Sequence, residues 1–128
     1  MNIGVSVMPK KRNISGDARR QMIKILQPLR GSKINIVVEV GEAESSDLAG
    51  QIYDVFVQAS WDVRGIDQHQ GGASCRGVCV EVHSGERYAR RVIEVKKALD
   101  AVGLNPTVFD DSGLSDEDSI RIRIGPQT

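Results

Sequence analysis

His69, Cys75, Cys79 and His83 lie close together in the chain and are the residue types that ligate zinc or form a nucleophile and its base. Their spacing argues against zinc, and Cys75 with His69 as nucleophile and base has no support beyond two such residues sharing a loop. If Cys75 and Cys79 lie on or beside a strand, four residues of extended chain separate them by roughly 13 Å, too far for one tetrahedral ion. The same separation argues against a disulfide. No metal site and no cofactor are therefore expected. A second group stands in "VEVGEAESSDLAGQI", where Glu42, Glu44, Ser45 and Ser46 fill the turn between an apolar run and an amphipathic one. Phosphate-binding turns occupy this address, because ligands of open α/β sheets bind beyond the carboxyl ends of strands. A phosphate, however, needs glycines and a cation beside it, and this turn offers Gly41 among carboxylates. Ribose hydroxyls or a hard cation suit it better. The competing reading is structural, since serines and carboxylates in a first helical turn satisfy free N–H groups and complement the helix dipole. The loop "DQHQGGASCRG" adds Gln68, His69, Gln70 and Arg76 as candidate ligand contacts, with Gly71 and Gly72 giving it freedom.

The elements that position these groups follow from periodicity. Ala18, Met22, Ile25, Leu26 and Leu29 recur at helical spacing, with Ser15 or Asp17 as cap and Pro28 near the end. "KINIVVEVG" alternates as a strand. A second helix from about Ser45 to Ser60 buries Leu48, Ala49, Ile52, Val55, Phe56 and Ala59. A short strand, Trp61 to Ile66, precedes the polar loop, and "VCVEVH" makes the third strand. Ser84 caps a third helix with the stripe Tyr88, Val92, Val95, Leu99 and Val102, and Gly103 provides a left-handed stop. "NPTVFDD" and "SIRIRIG" supply the last two strands. The alternation in the final one predicts that it is half-exposed.

The order is thus α-β-α-β-β-α-β-β. Asn35, Glu39, Arg64, Glu81, His83, Arg121 and Arg123 make the second face of the strands polar, which favours helices on one side only. The fold expected is an α/β (α+β) sandwich, a five-stranded mixed sheet with three helices, related to the split βαβ arrangement. The alternative is a flavodoxin-like doubly wound sheet with the first and third strands side by side. In both, these two strands are central.

Length and charge set further bounds. The chain has 128 residues, the size of one domain. Residues 1–14 read as a flexible or basic leader and 15–128 as a single α/β domain. Seventeen basic residues balance seventeen acidic ones, so no global field favours a nucleic acid. Two cysteines and no long apolar run point to a cytoplasmic domain. Arg87, Arg90, Arg91, Lys96 and Lys97 mix with Glu86 and Glu94 as on an exposed helix face, where an acidic partner could dock. Arg121 and Arg123 are placed to pair with Glu39 or Glu81 on neighbouring strands.

"INIVVEVGEAESSDLAGQIYDVFVQASWDV", "GVCVEV", "ALDAVGL" and "IRIRIGPQ" together resemble the soluble C-terminal domain of small bacterial membrane proteins with N-terminal hydrophobic helices. The resemblance covers most of the chain from about Ala18. It implies that Lys10, Lys11 and Arg12 follow a membrane anchor, and that the domain senses or docks. The expected function is accordingly a non-enzymatic sensory, ligand-binding or protein-interaction module, membrane-tethered in a longer protein. Its expected partners are a small-molecule ligand and a second copy packed on the open sheet face. The alternative is an enzyme acting on a nucleotide or related small molecule with Glu42, Glu44, Ser45 and the His69 loop.

Overall fold

Ser15 is extended, and its hydroxyl accepts a hydrogen bond from the N–H of Ala18, which satisfies a donor of the first turn of α1 (Gly16–Leu26). In this computed structural model, residues 12–39, 43–69, 75–83, 89–110 and 120–126 are described. Pro28, lacking an N–H, lies in the 3-10 turn Gln27–Leu29 that ends the helix. There follow β1 (Lys33–Glu39), α2 (Ala43–Gln58), β2 (Asp62–His69), β3 (Val78–Val82), α3 (Arg90–Ala101), β4 (Thr107–Asp110) and β5 (Ile120–Ile124). The expected three helices and five strands are present in the expected order.

The strands form one mixed sheet, β2-β1-β5-β3-β4. β1 runs parallel to β2 and to β5, whereas β3 runs parallel to β4 and antiparallel to β5. Two βαβ units, β1-α2-β2 and β3-α3-β4, therefore point in opposite directions. The last strand is inserted between them, so β1 and β3 are interior without touching as the doubly wound alternative requires.

Alternation assigns the faces. Ile34, Ile36 and Val38 of β1, Val78, Val80 and Val82 of β3, and Ile120, Ile122 and Ile124 of β5 share one core cluster with Met22 and Leu26 of α1, Ile52 and Phe56 of α2, and Val95 and Leu99 of α3. All three helices thus cover the same face, and α1 touches both others. Each large apolar side chain fully buried there contributes about 1.5–3 kcal/mol. Trp61 ties the layers together: its ring meets Phe56 edge-on at 5.1 Å, and its Nε1 donates to the Leu26 carbonyl at 2.8 Å.

Three sequence expectations change. β5 is the central strand instead of a half-exposed one, and even Arg123 is only 5 % exposed. Alternation reports that two faces differ in polarity; it does not say that the polar face meets solvent. β2 continues to His69, because Gly65, at φ +110°, accommodates a bulge where pairing shifts from Ile34 with Val63 to Ile36 with Ile66. Asp67, Gln68 and His69 are therefore strand residues. α3 starts at Arg90 after Ala89, and Ser84, Glu86, Arg87 and Tyr88 lie outside the described residues. Its stop is as expected, with Gly103 at φ +81° and the Leu104 N–H donating to the Leu99 carbonyl. No helix among the described residues is long and apolar enough to cross a membrane.

Candidate functional site

The carboxyl ends of β1, β2 and β5 share one rim of the sheet, and the acidic turn leads from there into α2. Glu39 and His69 are register partners, so β2 ends beside the end of β1, whereas β3 runs the other way. Of the candidate ligand residues, Glu42 and Gln70 lie outside the described residues, while Ser46, Gln68 and Arg76 are exposed. Glu44 and Ser45 have internal tasks. Arg12 donates to Glu44 from its backbone N–H at 3.0 Å, from Nε at 2.8 Å and from Nη2 at 2.6 Å. Nη2 also reaches the Ser45 hydroxyl at 3.2 Å and the Gly125 carbonyl at 2.8 Å, and Ser45 Oγ donates to that carbonyl at 3.2 Å. The two charged side chains are 13 % and 20 % exposed, so this is a fork-to-carboxylate pair largely withdrawn from water. The serine and carboxylate of the turn thus hold a preceding segment of the same chain. Ile14, two residues on, lies in the core cluster.

Cys75 and Cys79 are joined by a disulfide, contrary to the separation inferred from an extended chain. Cys75 precedes β3, and Gly77, at φ +77°, turns the chain so that the two Cα atoms come within 6.3 Å. Gly77 and the end of β5 exchange backbone hydrogen bonds: Gly77 N–H to Pro126 O at 2.7 Å and Gly125 N–H to Gly77 O at 2.9 Å. Antiparallel β3 carries His83 to the opposite rim, away from His69 and Cys75.

On the second face, Glu81 accepts from Arg121 Nη1 at 3.2 Å and from Arg123 Nε at 3.0 Å. One carboxylate serves two guanidinium groups across β3 and β5. Asn35 Nδ2 donates to Asp67 at 3.3 Å beside them. The middle of this face is shielded, with Val37, Cys79 and Arg123 at 6 %, 4 % and 5 % exposure.

An accessible concavity lies elsewhere, between α3 and the edge strand β4. It is a groove of about 750 Å³ floored by Val92, Ile93, Pro106 and Val108, with Lys96, Lys97 and Asp100 on its helical wall. That volume falls within the range of ligand-binding clefts. Lys96 pairs with Asp100 at 2.6 Å, which leaves Lys97 without an ion-pair partner among the described residues. Ile93, in the groove, is a large apolar side chain left 48 % exposed.

Comparison with family models, with curated proteins and with solved structures gives no match. The case for function therefore stands on geometry. Residue types alone single out the basic positions of α3 as a place for an acidic partner. They do not disclose the apolar floor, because Val108 and the preceding Pro106 come with a strand, β4, whose position beside α3 depends on sheet order. The exposed Ile93, off the buried stripe of its helix, is the available signal.

Proposed function

We propose that this domain is a non-enzymatic protein-interaction module that binds an acidic, apolar peptide segment of a partner in the groove between α3 and β4. The observation carrying this reading is the combination of an apolar floor with Lys97 unneutralised at its wall. Apolar side chains of the segment would fill the floor, and a carboxylate would meet Lys97. In this reading the domain works in the cytoplasm, tethered to a membrane in a longer protein, as the resemblance to C-terminal domains of bacterial membrane proteins suggests. The enzymatic alternative at the Glu42 turn and His69 has less support, since Glu44 and Ser45 are engaged with Arg12 and Gly125. Self-association through the second sheet face is likewise less favoured, because the middle of that face is shielded.

A titration of isotope-labelled protein tests the proposal. The probe is a short peptide alternating leucine with aspartate, and the control is the same peptide with lysine in place of aspartate. The acidic peptide should shift the amide signals of Val92 to Lys97 and of Thr107 and Val108, and the basic one should not. Absence of such shifts, or equal shifts with both peptides, would count against it.

A further inference from the structure

We propose that the Cys75–Cys79 disulfide is a reversible clasp that controls whether the segment around Arg12 and the start of α2 are held against the end of β5. The connection runs through Gly125. Its N–H donates to Gly77, inside the ring closed by the disulfide, and its carbonyl accepts from both Arg12 and Ser45. The sulfur of Cys75 lies 3.5 Å from the Arg123 carbonyl oxygen, so the bond holds Cys75 directly over β5. Cutting it removes the constraint that keeps Gly77 in register with Gly125 and Pro126. The partners on both sides of Gly125 then loosen together, because the N–H and the carbonyl that they hold belong to one residue.

A dithiol serves as the reductant. One of its thiolates attacks a sulfur of the pair, forming a mixed disulfide and releasing the other cysteine as a thiolate. The second thiol of the reductant then closes its own disulfide and frees the remaining cysteine. Two electrons pass to the protein, and two protons complete its thiols. Both cysteines are 4 % exposed, so exchange awaits opening of the segment from Cys75 to Gly77. Such bonds persist in oxidising compartments and are reduced in the cytosol, so the clasp would be closed in the former and open in the latter.

Intact-mass analysis after alkylation, with and without a dithiol, establishes the starting state, and amide hydrogen exchange then compares the oxidised protein, the reduced protein and Cys75→Ser/Cys79→Ser. The expected result is no alkylation without reductant after exposure to a disulfide oxidant, followed on reduction by exchange about tenfold faster at Arg12, Gly77 and Gly125. The amides of Val95 and Leu99 in α3 should be unchanged, and reoxidation should restore protection. Alkylation of both cysteines without reductant after exposure of the protein to a disulfide oxidant would overturn the proposal. So would equal protection in both states, or acceleration spread equally over α3, which would make the bond a global staple. The reduced wild type gives the same readout if the double variant does not fold.

Discussion

The backbone carbonyl of Cys75 lies where a side chain on Gly125 would begin. Gly125 is glycine for want of room, since the carboxylate of Glu39 also crowds the site. Gly125→Ala should therefore destabilise the domain by about 3 kcal/mol, because the obstruction is backbone and cannot swing aside. Urea unfolding would show it. Gly50, inside α2, has nothing within 4 Å of the point a Cβ would occupy, so Gly50→Ala should instead stabilise by about 0.5–1 kcal/mol.

Removing Arg12 has a different signature. Arg12→Ala leaves Glu44 without its guanidinium and Gly125 with one donor fewer; the cost should be about 2 kcal/mol. Arg12→Lys should recover only part of this, because an ammonium group cannot reproduce the fork. A thermal melt of each variant, with Glu44→Gln completing a double-mutant cycle, measures the coupling.

Glu81→Gln tests the face away from the helices. It keeps the side-chain shape but leaves Arg121 and Arg123 adjacent without the carboxylate they share. With Arg123 nearly inaccessible to solvent, the expected loss is about 3 kcal/mol by chemical denaturation. A loss below a few tenths would show that the triad contributes little.

Much of this architecture is legible in the residues. Period-two alternation in β1, β3 and β5 and the capping serine of α1 depend on local physics, and they place elements and faces correctly. Sheet order does not follow from them. Nothing within Ile120–Ile124 says that this strand lies between β1 and β3, because pairing depends on neighbours far away in sequence. The disulfide escapes for a related reason: the extended-chain distance holds only without Gly77 in its left-handed conformation. At the acidic turn, residue types alone do not distinguish a serine and glutamate awaiting a ligand from a pair already holding Arg12.

The groove gives a prediction separable from folding. Ile93→Asp and Lys97→Glu alter exposed positions on α3, so each should leave stability within about 0.5 kcal/mol of wild type. Each should nevertheless weaken binding of the acidic peptide about tenfold or more, because an anchor or its charge partner is gone. Anisotropy of a labelled peptide would measure this. Unchanged affinity in both variants would place the binding surface elsewhere.

The position of β5 also bears on how the protein is made. Both βαβ units are complete in the chain before the strand that joins them is synthesised. Until residues 120–126 emerge, the inner edges of β1 and β3 present unpaired N–H and C=O groups flanked by isoleucine and valine. Edges of that kind recruit strands from other chains. A nascent chain halted before Ile120 should thus be prone to sheet-edge aggregation, and completing the domain closes both vulnerable edges with a single strand.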